Sequence, residues 1–360
     1  MARWSRRAVL AATTASVAIA APAIGQTAPL RWRLTSSYPK SLDTIYGASE
    51  TIGRMVAEIT DGRFIIQPFA AGEIVPGLQA IDAVQKDAVE MAHTVSFYNL
   101  GKDPAWALGT GLPFGMNARQ QNAWLYHGGG ADILDAFYAK HGIVAFPAGN
   151  SGAQMGGWFR KEVKSLDDMK GLKMRISGLA GNIIEKLGAV PQLIAAGDIY
   201  PSLERGTIDA AEWIGPYDDE KLGFVRIAPF YYYPGWWEGG LVFHAMINKA
   251  RWDSLPKPFQ AALRTACQAV NCDVTAKYDA RNPAAIKRLV AAGAQLRPFP
   301  RDMMEVAFKA SEEVYASAGQ RSADFAAIYC AYSSFLKDSY TWWQIAELSF
   351  DAFNVSTRLR

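Results

Sequence analysis

The chain has 360 residues, 50% apolar and 20% charged, which suits a soluble globular protein whose large core is divided between two lobes or domains. Without the three arginines in its first seven residues, 34 basic side chains balance 34 acidic ones. Because it has no net charge and no basic run that could follow a phosphate backbone, the remaining chain is not predicted to bind nucleic acid. Beyond its N-terminal segment, no stretch has the length and apolar character of a membrane span.

The N-terminal segment is predicted to be a signal peptide outside the fold. Its arginines precede an apolar run over residues 8–20, and small residues suited to cleavage follow at 21–23. We therefore expect residues 1–25 to be removed on export, with the mature chain in the periplasm. Ser5-Arg6-Arg7 resembles a twin-arginine export signal, and an ordinary signal with two adjacent arginines is the alternative.

Strand and helix patterns then alternate along the chain. We predict strands at 30–34, 64–69, 88–93, 143–146, 172–176, 210–214 and 241–248. The predicted helices are 43–60, 76–86, 118–140, 181–187 and 199–205, with glycines 128–130 interrupting the third. Such alternation is typical of parallel sheets covered by helices, so we expect an α/β protein with two similar lobes.

The C-terminal third is predicted to be mainly helical. Its helices are expected at 259–290, with a break at Asn282-Pro283, and at 302–317 and 324–337. The last stretch, 340–353, is rich in aromatic residues and is predicted to close over the lobes or to pack on a second subunit.

Motifs typical of enzymes are missing from the sequence. There is no HExxH, no GxSxG, no P-loop and no GxGxxG after a strand. The histidines form no metal-type pair, and His93, at a strand end, is the best of them for a pocket wall. The cysteines have no metal-type spacing and are interpreted as buried and unbridged; they are Cys267, Cys272 and Cys330.

Arg175 is the strongest single candidate for ligand binding. It ends the short strand Gly171-Leu172-Lys173-Met174-Arg175, and ligands of open α/β sheets bind beyond the carboxyl ends of the strands. Its planar guanidinium can hold a carboxylate with two parallel hydrogen bonds. A surface ion pair is the alternative interpretation.

Three further segments carry polar or aromatic groups suited to a cleft. Glu212-Trp213 follows a strand, where a carboxylate beside an aromatic ring can hold a cation or a hydroxyl. The aromatic segment 231–240, which includes Glu238, and the polar loop 150–154 are predicted to cross between the lobes. Salt bridging and simple core packing are the alternatives for each.

Together these segments resemble the substrate-binding proteins of tripartite ATP-independent periplasmic (TRAP) transporters. The resemblance rests on the Arg175 strand, on Ser202-Leu203-Glu204-Arg205-Gly206-Thr207-Ile208-Asp209-Ala210 with Glu212-Trp213, and on Tyr233-Pro234-Gly235-Trp236-Trp237-Glu238. It covers almost the whole mature chain and is strongest for the branch that binds 2-oxo acids and lactate. It implies two α/β lobes that close over a ligand around crossing segments and a long helix.

The resemblance also implies roles for individual residues. Arg175 matches the arginine that holds the substrate carboxylate, and a metal ion is bound beside the substrate. The implied metal ligands are Gln154, Glu212, Trp213 and Glu238. The implied substrate contacts are Arg175, Gln154, Asn150, Tyr98, Trp213 and Glu238. A homodimer formed through the C-terminal helix and TRAP membrane subunits are the implied partners.

Electrostatics support a cation independently. If Glu212 faces a substrate carboxylate about 4 Å away, the two charges repel by roughly 4 kcal/mol at an effective dielectric constant near 20. Arg175 offsets one charge and a cation the other. Glu212 alone suits a monovalent ion, whereas Glu212 with Glu238 suits a divalent one, so Na⁺ and Ca²⁺ both stay open.

The sequence therefore predicts a periplasmic protein that captures a small monocarboxylate, such as pyruvate or lactate. The expected first lobe comprises residues 26–149 and about 236–270, and the second 150–235 with part of the C-terminal region. Residues from about 320 to 360 form the predicted dimerisation tail. An exported hydrolase or lyase that uses Glu212 and Glu238 as acid and base is the main alternative, and a receptor for a sensor is another.

Overall fold

The structure is a computed structural model that describes residues 28–358. It contains two β-sheets, each with parallel and antiparallel strands, and helices cover both sheets. This confirms the predicted two-lobed α/β fold. The predicted signal peptide lies outside the described residues. Among the helices of residues 28–358, none combines the length and the apolar character needed to cross a bilayer.

The strands of the described chain fall into two sheets. They are β1 Leu30–Ser36, β2 Phe64–Phe69, β3 Met91–Thr94, β4 Ile143–Asn150, β5 Gly157–Phe159, β6 Lys173–Arg175, β7 Val190–Gln192, β8 Ala210–Ala211, β9 Phe230–Tyr233, β10 Val242–Asn248 and β11 Gln295–Pro298. The first sheet has the order β2-β1-β3-β10-β4, and the second has the order β11-β9-β5-β8-β6-β7. The exact lobe boundaries stay a prediction.

The α-helices cover the sheets and form the C-terminal third. They are α1 Ile45–Ile59, α2 Ala80–Gln85, α3 Ala118–His127, α4 Gly130–Lys140, α5 Leu179–Lys186, α6 Ala196–Glu204, α7 Pro216–Leu222, α8 Lys249–Ser254, α9 Lys257–Ala291, α10 Arg301–Arg321, α11 Ala323–Trp343 and α12 Ser349–Arg358. Helix α1 shows why they form, because it buries Ile45, Ile52 and Val56 along one face.

The sheets are less uniformly parallel than the sequence pattern predicts. Strand β10 runs antiparallel to β3 and β4, and β5 runs antiparallel to β8 and β9. Both exceptions adjoin the two places where the chain passes between the sheets, from β4 to β5 and from β9 back to β10. A strand that enters a sheet from the opposite lobe arrives in the opposite direction, which alternation of helices and strands cannot reveal.

The predicted break at Asn282-Pro283 is wrong, because α9 continues through it for 35 residues. Pro283 lies on the exposed side of the helix, where water can solvate the Asp279 carbonyl that loses its partner. The Asn282 side chain accepts a hydrogen bond from the backbone N–H of Tyr217 (3.0 Å), which ties α9 to the first turn of α7. Helix α9 also packs on α1 and β4, so it contacts both lobes.

The predicted interruption of the helical segment 118–140 at glycines 128–130 is confirmed. Helix α3 ends at His127 and α4 begins at Gly130, and Gly129 adopts a left-handed conformation (φ 82°) that favours glycine.

The predicted burial of all three cysteines is wrong. Cys267 is buried in α9, but Cys272 and Cys330 are exposed, and none of the three is bridged within the described chain.

Candidate functional site

The two crossing segments lie side by side between the sheets. The backbone N–H of Gln154 donates to the carbonyl of Glu238 (3.4 Å), and that of Gly235 donates to the carbonyl of Gln154 (3.0 Å). The Ser151 N–H likewise donates to Leu241 (3.0 Å). This pairing places the side chains of Gln154 and Glu238 on one ribbon, and both are buried.

Arg175 lies at the carboxyl end of β6 and is only 2% exposed. Its Nη1 donates to Oε2 of Glu212 (2.8 Å) and to the Glu212 carbonyl, and its Nε donates to the Ile194 carbonyl (3.2 Å). The guanidinium lies 4.8 Å from the centre of the Trp213 ring. Arg175 is therefore fixed in a buried ion pair with an adjacent aromatic ring, and the surface pair considered as the alternative is excluded.

Glu212 and Glu238 are both buried, 2% and 4% exposed, and their charges interact. Burial raises the pKa of Glu212 to about 8, although Arg175 opposes the shift. Burial, with the neighbouring charge of Glu212, also raises the pKa of Glu238 well above its ordinary value. Among the described residues, one buried oxygen of each carboxyl has no hydrogen-bond partner, Oε1 of Glu212 and Oε2 of Glu238.

Gln154 adds a third oxygen of the same kind. Its Nε2 donates to Ser151 Oγ (3.1 Å), and its amide Oε1 is buried with no hydrogen-bond partner in residues 28–358. Buried polar atoms are rarely left unsatisfied, so three such oxygens on neighbouring residues fit a bound cation. The three oxygens belong to two carboxyl groups and one amide. Within residues 28–358 there is no group of three or more His, Cys, Asp or Glu side chains that could hold a metal ion.

Aromatic side chains from both lobes close the space beside Arg175. Tyr38, Phe97, Tyr98 and Phe243 line it from the first lobe, and Trp213 lines it from the second. The cavity measures about 20 Å³. One water molecule needs roughly 10–15 Å³ by a comparable measure, so the space beside Arg175 holds about one water molecule. A larger hollow of about 480 Å³ lies between α1 and α9, where charged side chains and no aromatic rings of the described chain line it.

A family model for the bacterial extracellular solute-binding proteins, family 7, matches residues 35–321. The chain belongs to this family. Its members are solute receptors, not enzymes. A monocarboxylate 2-oxoacid-binding periplasmic protein from Nostoc sp. is 49% identical over 329 residues, which cover 91% of this chain and 90% of that protein.

Two solved family structures are also similar. A TRAP transporter solute-binding protein from Bordetella bronchiseptica is 47% identical, with a TM-score of 0.91 over 93% of this chain and 99% of that one. It is a mixed-occupancy dimer, with co-purified calcium and picolinate in one active site and the other site apo. A second TRAP protein, from Pseudoalteromonas atlantica with bound sodium and pyruvate, is 36% identical, with a TM-score of 0.87 over 89% of this chain and 98% of that one.

Within this family member, the structure brings most of the candidate residues together. Arg175, Trp213 and Tyr98 line the cavity. Glu212 pairs with Arg175, and Glu238 lies close to Glu212 and Gln154. Asn150 is different, because its amide donates to Gln121 (2.8 Å) and accepts from the Gly152 N–H (2.9 Å). It supports the crossing loop, and its contact with substrate stays a prediction.

His93 lies one layer behind the cleft wall. Its Nε2 is 3.0 Å from the Ala148 carbonyl, and its ring packs against Tyr38 and Phe243, which themselves line the cavity.

Sequence reasoning missed Tyr38 as a site residue. Tyr38 lies just after β1, which runs parallel to its neighbours β2 and β3. The rule that singled out Arg175, that ligands bind beyond the carboxyl ends of strands, applies equally to the turn that holds Tyr38.

Proposed function

We propose that this family member captures a small monocarboxylate in the periplasm for a TRAP transporter. The acid is a 2-oxo acid such as pyruvate or a 2-hydroxy acid such as lactate. The observation that carries the proposal is the buried group of Arg175, Glu212 and Glu238 beside a small aromatic cavity. The 2-oxoacid-binding relative from Nostoc and the pyruvate-bound protein from Pseudoalteromonas support the same substrate class.

Arg175 anchors the carboxylate. Nε and Nη1 are already held by Ile194 and Glu212, and Trp213 packs on the plane of the group. Within the described residues Nη2 has no such partner, which leaves it for the ligand. A guanidinium that is fixed before the ligand arrives loses little conformational entropy on binding, so more of the interaction appears as affinity.

A cation held by Gln154, Glu212 and Glu238 offsets the remaining charge. Because their pKa values are raised, Glu212 and Glu238 are expected to lose their protons only as the cation binds. With a ligand carboxylate the site then carries three negative groups and one positive group. Each pair of like charges about 4 Å apart costs roughly 4 kcal/mol at an effective dielectric constant near 20. Ca²⁺ neutralises this excess and Na⁺ leaves one negative charge, so we propose that Ca²⁺ is preferred. Its role is electrostatic, while Arg175 and the aromatic wall orient the ligand and exclude water.

The proposed dimer uses the C-terminal tail. Trp342, Ile345, Phe350 and Phe353 are each about two-thirds exposed, which is unusual for such large apolar side chains. A groove of about 120 Å³ lies between α10, α11 and residues 112–115 of the described chain. We propose that the tail of a second copy packs there. Light scattering tests this, since Phe353→Glu is expected to yield monomers and Asp351→Lys, on the same helix, to leave the dimer intact.

The test of capture is calorimetry with metal-stripped protein. Pyruvate or lactate is titrated with CaCl₂, with NaCl and with neither. We expect the tightest binding with Ca²⁺, and about a 100-fold loss in Arg175→Lys because a buried, hydrogen-bonded charge contact is worth several kcal/mol. Arg264→Lys is the matched control, because Arg264 is exposed and stacks on Phe146 and Trp252 away from the cleft. Full affinity in Arg175→Lys would remove the anchor from the proposal.

Incubation of the protein with the same acids separates capture from catalysis. A hydrolase or lyase that used Glu212 and Glu238 as acid and base would change the ligand during incubation. We expect NMR spectra of the acid recovered from the protein to match those of the acid supplied. New signals that accumulate with time would favour the enzyme.

A further inference from the structure

A second cavity lies beside the first sheet, away from the ligand cleft. It measures about 220 Å³ and lies between α3, α4, β4 and α9. Pockets for drug-sized ligands measure about 300–1,000 Å³, so this cavity suits a smaller molecule. Its lining residues and those of the space beside Arg175 are two separate sets. A molecule in this cavity is therefore held apart from the acid in the cleft.

The walls of this second cavity are mainly apolar. Leu125 and Ala145 are buried side chains of its lining. The rings of Tyr126, Phe146 and Pro147 complete the apolar part of the wall. A hydrocarbon group gains free energy when it leaves water for such a lining.

Two side chains of opposite charge line the same cavity. Arg264 of α9 and Asp135 of α4 both face it, and each is also in contact with solvent. The Arg264 guanidinium lies over the rings of Phe146 (5.5 Å) and Trp252 (5.9 Å), which restrict its position. Burial raises the pKa of Asp135 to about 6, and the charge of Asp132 acts in the same direction while Arg264 opposes it. The Asp135 carboxyl is therefore partly desolvated, and it is ionised above pH 7.

The two charged groups share the cavity without pairing. Arg264 lies close enough to lower the pKa of Asp135. Within residues 28–358, however, no salt bridge joins either side chain to the other or to a third one. A ligand that carries both charges fits between them, because a guanidinium donates to a carboxylate and a carboxylate accepts from an ammonium group.

We propose that this cavity binds a small apolar α-amino acid such as leucine, with its carboxylate on Arg264, its ammonium group on Asp135 and its side chain within the apolar walls. A plain carboxylic acid would pair with Arg264 alone and a plain amine with Asp135 alone, so the amino acid is the ligand that uses both charges. This site is additional to the proposed capture of monocarboxylates and does not depend on it.

Calorimetry with leucine at about pH 7.5, with and without pyruvate and CaCl₂, tests this inference. Two analogues each lack one charge, since 4-methylpentanoate has no ammonium group and 3-methylbutylamine has no carboxylate. We expect one leucine per chain, with the same affinity whether or not the cleft is filled. Both analogues should bind at least about tenfold more weakly, because each gives up one hydrogen bond between charged groups.

Variants assign each charge of the ligand to its partner. Arg264→Gln is expected to weaken leucine about tenfold and to leave 3-methylbutylamine within twofold. Asp135→Asn is expected to weaken leucine about tenfold and to leave 4-methylpentanoate within twofold. Retained binding of the matching analogue shows that each variant is folded. Asp132→Asn, which changes an exposed acid of α4 outside the cavity lining, is the control and should leave leucine binding unchanged.

Three outcomes would overturn the inference. The first is that leucine does not bind, and the second is that both variants bind it as tightly as the wild type. The third is that pyruvate with CaCl₂ displaces leucine, which would place leucine in the cleft. A protein that bound leucine but neither pyruvate nor lactate would support this inference and would contradict the proposed function, so the two failures are distinguishable.

Discussion

At the scale of single residues, a second group of acidic side chains lies behind the cleft. Asp219 accepts hydrogen bonds from Trp158 (2.9 Å) and Tyr231 (2.7 Å), and Asp218 accepts one from Tyr278. Burial raises the pKa of Asp218 to about 7 and that of Asp219 to about 6. The charge of Asp219 also raises the pKa of Glu212. The negative potential around Glu212 therefore comes from more than the proposed cation ligands, which favours a positive ion there.

A buried histidine makes the first lobe sensitive to acid. Burial lowers the pKa of His93 to about 4, and the Ala148 carbonyl opposes the shift. Since the folded pKa is below the unfolded value, the stability that neutral His93 supports is complete above about pH 6.5 and is lost as the pH falls toward 4. Between pH 7 and pH 5, protonation of His93 is expected to lower the free energy of unfolding of the wild type by about 2 kcal/mol. We expect His93→Gln to lack this decrease.

Denaturant unfolding at both pH values measures this prediction. The difference in free energy of unfolding between the wild type and His93→Gln should shrink at the lower pH. His127→Gln, an exposed site, is the control and should keep a constant difference. A constant difference for His93→Gln too would contradict the account.

At this scale the sequence predicts charged residues better than aromatic ones. Arg175 stands out because a guanidinium at a strand end is rarely needed for packing. A tyrosine such as Tyr38 gives the same sequence pattern whether its hydroxyl lies in a core or in a pocket. Likewise, no spacing rule indicates that Arg175 pairs directly with Glu212, since β6 and β8 come together only through the register of the sheet.

At the scale of elements, the crossing segments and α9 connect the lobes. The sequence indicates the crossing segments through their aromatic and glycine content, and periodicity predicts seven of the eleven strands of the described chain. It misses β5, β7, β9 and β11, and it does not give the order of the strands within the sheets. It fails at Pro283, because a local rule for proline does not include the contacts that α9 makes with α1, β4 and α7.

The proline in α9 is expected to cost stability even though the helix continues. Pro283→Ala restores an N–H donor to the Asp279 carbonyl and should raise the free energy of unfolding by about 1–3 kcal/mol. Urea unfolding checks this, with Lys287→Ala on the exposed side of the same helix as the control. A lower stability for Pro283→Ala would show that the ring is needed for the path of the helix.

At the scale of the whole molecule, charged side chains join the lobes outside the ligand site. Asp43, after β1, pairs with Lys221 of α7 and with Lys277 of α9 (3.0 Å), and it accepts a hydrogen bond from Tyr217 (3.2 Å). These groups are partly exposed, so each pair contributes at most about 1 kcal/mol. Their position across the cleft nevertheless favours the closed arrangement over the open one.

Removing this contact should therefore weaken binding indirectly. We expect Asp43→Ala to lower the affinity for pyruvate about two- to fivefold, since population shifts of this size follow from the loss of about 0.5–1 kcal/mol. Small-angle scattering should show a larger radius for the ligand-free variant. Asp253→Ala removes an exposed pair with Lys249 on α8 and is the matched control. Unchanged affinity and radius in Asp43→Ala would show that these pairs do not bias closure.

A crystal structure of the protein with pyruvate and CaCl₂, with anomalous data that locate calcium, tests the central claim most directly. The account predicts a carboxylate on Arg175 and a calcium peak within ligand distance of Gln154 Oε1, Glu212 and Glu238. A ligand held elsewhere, or a Glu212–Glu238 pair with no ion between it and the bound acid, would contradict it.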